Sequence, residues 1–206
     1  MQNHKYKKLK KPILLIILVL LIDQISKIYI KTHFQLGEEI RVTDWFIIHF
    51  TENNGMAFGT EFGGDYGKLF LSVFRIFAVF GIFYWLYTSV KQNQSKILIF
   101  SISLIFAGAL GNILDSIFYG VFFNDSLGHV ATLQSIGNGY APVLFGKVVD
   151  MLYFPMWKGF LPTWIPVWGG QYFIFFQPIF NIADSAITVG VAIMFIFQKR
   201  VFKEEK

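Results

Sequence analysis

Four aspartates and one lysine stand where an apolar chain has most reason to exclude them. In "DQISK" Asp23 and Lys27 are four residues apart, and in "GALGNILD" Gly108, Asn112 and Asp115 fall on one helical face. In "FNIADSAITVGVAIMFIF" Asn181, Asp184 and Ser185 are spaced i, i+3 and i+4, while Asp150 sits in "GKVVDMLYF". An ionisable group inside a membrane costs at least a few kcal/mol on insertion scales, so each needs a partner or a function. Asp23 and Lys27 can satisfy each other as a salt bridge. Asn112 and Asp115 can do so by interhelical hydrogen bonding. Asp150 and Asp184 have no basic residue nearby at helical spacing; Lys147 precedes Asp150 by three, in a segment that need not be helical. If these two face each other, both cannot ionise cheaply, and they share one proton with split apparent pKa values. The ionised member then takes a proton from water and the neutral one donates to a carbonyl oxygen. That chemistry needs no metal and no nucleophilic side chain.

Other chemistries fit poorly. The 206 residues include no cysteine, which excludes thiol catalysis, disulfides and cysteine metal sites. His4, His33, His49 and His129 are scattered, with no H-E-x-x-H and no G-x-S-x-G. "GALGNILD" lies within a predicted helix rather than between strand and helix, so its glycines read as close helix packing, not a phosphate loop.

The elements that position these residues are membrane helices. The chain is 54% hydrophobic and 19% aromatic with 15% charged residues, the balance of an integral membrane protein. Four apolar runs are long enough to span, at roughly 12–30, 69–90, 97–119 and 179–197. The net charge of +5 is concentrated in "HKYKKLKK", "KQNQSK" and "QKRVFKEEK". That is the positive-inside pattern, and it predicts both termini in the cytoplasm with segments 31–68 and 120–178 outside. Basic clusters that flank spans also argue against nucleic acid as a partner. Helical rise places Asp23 and Lys27 about 16 and 22 Å along the first span and Asp115 about 27 Å along the third. Asp184 starts the fourth, so the aspartates and Lys27 converge toward the outer leaflet. Arg75, about 9 Å into the second span, reads as a residue that snorkels outward. Residues 40–51 read as one or two short strands before a loop. Trp45, Trp157, Trp164 and Trp168 lie in the outer segments and suit the headgroup region.

Five motifs, in order, resemble those of lipoprotein signal peptidase, also called signal peptidase II, a bacterial membrane aspartyl peptidase family. "DQISK" is similar to D-Q-x-x-K, with Asp23 and Lys27. "NNGMAFG" is similar to N-x-G-x-A-F, with Asn53, Gly55 and Ala57. "GALGNILD" is similar to G-x-x-G-N-x-x-D, with Gly108, Asn112 and Asp115. "VVDM" resembles V-V-D-F, with Asp150, and "FNIADSAI" resembles F-N-x-A-D-S, with Asn181, Ala183 and Asp184. The resemblance implies a helical membrane protein of four transmembrane helices with a small outer β-cradle and a surface helix, in the bacterial inner membrane. It implies cleavage of prolipoproteins on the N-terminal side of a diacylglyceryl-modified cysteine. Asp150 and Asp184 would be the catalytic pair, and the other matched residues would support that pair or position substrate, with no metal or other cofactor. Membrane lipids and cyclic peptide inhibitors such as globomycin are the further partners it implies.

Two departures stand out. Ser116 occupies the place where the family usually has arginine, so that arginine's role is absent or supplied elsewhere. About 25 residues separate Gly120 from Gly146, and 154–178 is long and aromatic; these outer insertions put substrate entry in question. Two other readings stay open: an ion or proton transporter, which would need polar groups across the whole membrane, and a lipid-binding or assembly subunit, which would tolerate loss of either aspartate.

Overall fold

The computed structural model describes residues 2–55 and 64–201. The elements follow in the order α1 (Gln2–His33), β1 (Glu39–Arg41), β2 (Ile47–Asn53), α2 (Gly64–Lys91), α3 (Lys96–Phe122), β3 (Val148–Tyr153), β4 (Trp157–Phe160), β5 (Tyr172–Phe175), β6 (Ile179–Phe180), α4 (Ile182–Ile196) and α5 (Gln198–Val201). Among the described residues, three helices are long and apolar enough to cross a membrane: Leu9–His33, Tyr66–Lys91 and Lys96–Phe122. Of these α3 is the central one. Its most apolar window is 56% buried, against 17% and 11% for the other two, which leave most of their surface for lipid.

The fourth apolar run differs from expectation. Residues 179–180 form strand β6, and α4 has 15 residues. At 1.5 Å per residue that is about 22 Å, short of a hydrocarbon core of about 30 Å. The cause is local. Asn181 is extended (φ −125°, ψ −177°) and its side chain accepts from the Asp184 amide, while the Asp184 side chain accepts from the Asn181 amide. This capping box starts the helix three residues later than hydropathy does and frees the preceding residues to pair with β3.

The segments expected outside are built of β-structure to a greater extent than the sequence suggests. Strands β1, β2, β3 and β6 form one antiparallel sheet in that order, and β4 with β5 forms a separate hairpin within 154–178. The strands expected over 40–51 are β1 and β2. The implied surface helix has no counterpart among the described outer residues. Ile30, Phe34, Phe50, Tyr119, Val149 and Met151 are buried together and join the sheet to α1 and α3.

The excursion after α3 folds back on that helix. The amides of Gln134 and Ala141 donate to the carbonyls of Phe122 and Gly120 at 2.8 and 2.9 Å, so the insertion satisfies carbonyls that the helix end leaves unpaired. Gly146 then donates to Ser116 O at 2.9 Å and hands the chain to β3 beside α3. A buried ionic cluster ties the insertion down: the Lys31 ammonium pairs with Glu52 and donates to Ser126 Oγ at 3.0 Å, under the ring of Tyr140.

Helices α3 and α4 approach closely over small residues. A Cβ at Gly108 would collide with the carbonyl oxygen of Ala183 and come within 2.7 Å of Ile187. Gly108→Ala should therefore push α4 off α3. The expected loss is about 1–3 kcal/mol of stability, read as a lowered melting temperature in detergent, with a fall in activity beyond what lost folded protein explains.

Candidate active site

At the end of the helices beside the four-stranded sheet, Lys27 lies out of water between two carboxylates. Its Nζ is 2.9 Å from Asp23 Oδ2 and 2.9 Å from Asp115 Oδ2, and it donates to Asn112 Oδ1 at 2.9 Å. The Asp23–Lys27 pair is thus a salt bridge along α1, but one shared with α3. Each carboxylate has a second task. Asp23 Oδ1 accepts the amide of Ala183, one of the orphan donors in the first turn of α4, at 2.9 Å. Asp115 Oδ2 accepts the amide of Val149 in β3 at 3.3 Å, and its Oδ1 accepts from Gln24 at 2.8 Å.

Sheet register brings the second pair of aspartates to this knot. Leu152 pairs with Phe180 and Tyr153 with Ile179. Continued by two residues, the register sets Asp150 level with Ile182, just before Asp184 in the first turn of α4. Asparagines hold both side chains. Asp150 Oδ1 accepts from Asn181 Nδ2 at 2.7 Å, and its Oδ2 accepts from Asn53 Nδ2 at 3.3 Å. Asp184 Oδ1 accepts from Asn112 Nδ2 at 2.7 Å. Asn181 also donates to Asn112 Oδ1 at 3.1 Å, so one amide network joins the two carboxylates. Asp150 is buried and Asp184 half-buried. Burial, then the charge of Asp184, pushes the Asp150 carboxyl up to about 7, against the hydrogen bonds from Asn53 and Asn181.

Asn53 ends β2 and turns the chain. Its Oδ1 accepts the amide of Gly55 at 2.7 Å, and Gly55 has φ +91°, a conformation that favours glycine. From α2, Lys68 donates to Asn54 Oδ1 at 3.0 Å and Arg75 donates to the Gly55 carbonyl. Arg75 thus points into the bundle toward the aspartates rather than snorkelling outward. The reason is an acceptor: the carbonyl of the buried Gly55 turn gives it a partner inside. Ser116, where arginine was expected, is buried and bonds back to Asn112 O at 3.3 Å.

Of the residues singled out from sequence, Asp23, Lys27, Asn53, Asn112, Asp115, Asp150, Asn181 and Asp184 meet in one network. Gly55 shapes its edge, and Gly108 and Ala183 set the α3–α4 approach. Ala57 lies outside the described residues. Sequence reasoning missed Gln24, which donates to Asp115 and accepts from Tyr119 Oη at 3.2 Å. A glutamine inside an apolar run was the available signal. Among the described residues, no group of three or more His, Asp or Glu side chains has metal-binding proximity.

The family model for signal peptidase (SPase) II matches residues 15–199. The chain belongs to the signal peptidase II family. Proteins named lipoprotein signal peptidase from two strains of Porphyromonas gingivalis are each 48% identical to it over 187 residues, 90% of this chain and 81% of theirs. One of the same name from Amoebophilus asiaticus (strain 5a2) is 39% identical over 89% of this chain and 75% of its own. Two solved structures, of a bacterial membrane enzyme determined by the in meso method at 2.3 and 1.9 Å resolution, superpose with a TM-score of 0.59 at 27% identity. They cover 95% and 94% of this chain and 93% and 94% of theirs. Family membership makes the chain a peptidase, and its apolar helices agree with a multi-pass membrane protein.

Removing the shared cation should cost more than removing the whole cluster. Lys27→Met leaves two buried carboxylates uncompensated and is expected to lower stability by about 3–5 kcal/mol. Adding Asp23→Asn and Asp115→Asn should recover part of that. Thermal unfolding of the three-residue variant against Lys27→Met checks it; no recovery would contradict this account of the knot.

Proposed function

We propose that the chain removes signal peptides from diacylglyceryl-modified prolipoproteins, cutting on the N-terminal side of the lipidated cysteine, with Asp150 and Asp184 as a catalytic pair that activates water. One observation carries this reading. Two aspartates from different elements, β3 and α4, share one asparagine network, one of them buried and raised toward neutrality, the other open on one side.

That asymmetry assigns the roles. Asp184 is the base: it takes a proton from water as the water oxygen bonds to the carbonyl carbon of the residue before the cysteine. Asp150 is the acid: it gives its proton to the carbonyl oxygen, producing a neutral tetrahedral diol. A diol hydroxyl then returns a proton to Asp150, Asp184 gives its proton to the cysteine nitrogen, and the C–N bond breaks to acid and amine. Asn112 and Asn181 hold the carboxylates in register throughout.

The basic inner end supports a topology with both termini in the cytoplasm and the pair facing the outer side of a bacterial inner membrane. In that arrangement α4 continued by α5 serves as the fourth crossing. Cyclic peptide inhibitors such as globomycin would compete for this site. A transporter is disfavoured, because no Asp, Glu, Lys or Arg lies on α1, α2, α3 or α4 between the site and the basic inner end.

Asp150→Asn and Asp184→Asn, made separately, should each lower cleavage of a diacylated prolipoprotein by about 100- to 10,000-fold. The exposed Asp125→Asn should leave it unchanged. Substantial turnover by either folded dyad variant would sink the assignment and favour a non-catalytic role. The pH profile gives a second check. Asp150 has to be protonated to act, so kcat/KM should fall as pH rises through about 7, by about tenfold per unit above it. A profile flat from pH 6 to 9 would contradict Asp150 as the acid.

A further inference from the structure

The end of the bundle remote from the aspartates holds a second built feature. A cavity of about 620 Å³ lies between α1, α3 and the turn that joins α2 to α3. Pro12, Leu15, Val90 and Ile99 give it apolar walls, and Lys11 and Lys96 stand at its edge. Among the described residues the charge around it is one-sided. Lys10, Lys11, Lys91, Lys96, Lys199 and Arg200 gather at this end, no carboxylate of the described residues accompanies them, and none of the six makes an ion pair with a described residue. The N-terminus of α3 opens here too, with Ser95 capping the Leu98 amide, and its dipole adds to the positive potential. Among the described residues, α1 and α2 touch only slightly.

An apolar chamber under a cationic rim, at the level of a membrane surface, is complementary to a molecule with one anionic head and a hydrocarbon tail. A soluble anion would leave the walls uncovered, and a neutral lipid would leave the lysines without a counter-charge. We propose that this cavity binds an anionic phospholipid of the leaflet opposite the aspartates, its phosphate between Lys11 and Lys96 and one acyl chain against Pro12, Leu15, Val90 and Ile99. The lipid braces α1 against the α2–α3 turn. This site is independent of the peptidase reading.

The test is native mass spectrometry of the full chain in detergent, titrated with phosphatidylglycerol or with phosphatidylcholine of identical acyl chains. Phosphatidylglycerol should be retained about tenfold more tightly. Lys11→Gln with Lys96→Gln should erase that preference, and Lys11→Arg with Lys96→Arg should keep it. Lys10→Gln with Lys91→Gln, at the same end but outside the cavity, should keep it as well. Inorganic phosphate should not displace the lipid. If the glutamine pair fails to fold, Lys96→Gln alone, at an exposed first-turn position, decides the matter. Equal retention of the two lipids, equal loss in the Lys10/Lys91 pair, or displacement by phosphate alone would each overturn the proposal.

Discussion

A lysine ammonium has three donors, no acceptor and a charge that water normally solvates. Placing Lys27 in the interior fixes the groups around it. The positive charge requires carboxylates at contact distance, and Asp23 and Asp115 meet that need from α1 and α3. Their remaining lone pairs must also be filled, and they collect backbone amides from α4 and β3. One buried cation therefore locates the four elements that build the site. Its third donor goes to Asn112, which has to turn its carbonyl oxygen toward Lys27 and so its amide nitrogen toward Asp184. Asn181 is oriented in the same way: its oxygen accepts the Asp184 amide, which leaves its nitrogen for Asp150 and Asn112. The hydrogen bond from Asn112 to Asp184 takes its direction from an ammonium that can only donate, while those from Asn181 and Asn53 to Asp150 take theirs from the amides of Asp184 and Gly55.

The charge balance of the site depends on the same constraint. With Asp150 protonated, three carboxylates face the cations Lys27 and Arg75. The two aspartates of the pair are built unequally. Asp184 occupies the first turn of α4, where the helix presents its positive end. Asp150 is on a strand, enclosed by the sheet on one side and α3 on the other, with neutral amides as donors. A strand and a helix end are different electrostatic environments, and the proposed acid and base stand one on each.

Much of the site was legible because polar residues in apolar runs are few and their helical spacing is rigid. Asp23, Lys27, Asn112 and Asp115 could be placed by depth and face alone. Asp150 could not, because its depth depends on strand pairing across an insertion of unknown shape, and hydropathy carries no register. The start of α4 was missed for a related reason. "IF" before Asn181 is as apolar as the helix after it, and only the capping geometry tells strand from helix. Arg75 was misread because depth was weighed and partners were not: the acceptor that draws it inward is a backbone carbonyl created by the Gly55 turn. The β4–β5 hairpin falls within 154–178, which reads only as a long aromatic insertion, because four-residue strands of mainly aromatic residues carry no clear alternation.

The way the insertions close on themselves explains how a long segment between α3 and α4 leaves the site undisturbed. The excursion over 154–178 lies in sequence between Asp150 and Asp184, so any strain in it would act on both. Its ends, however, are pinned side by side by the Tyr153–Ile179 pair, and Phe154 stacks between Phe46 and Phe180 at 4.8 and 5.6 Å between ring centroids. A loop whose ends are already joined contributes closure entropy that grows only slowly with length. The same holds for the excursion after α3, closed by Gly146 on Ser116 and Ala141 on Gly120. Both segments can therefore vary in length and shape while the register that sets Asp150 beside the start of α4 stays fixed.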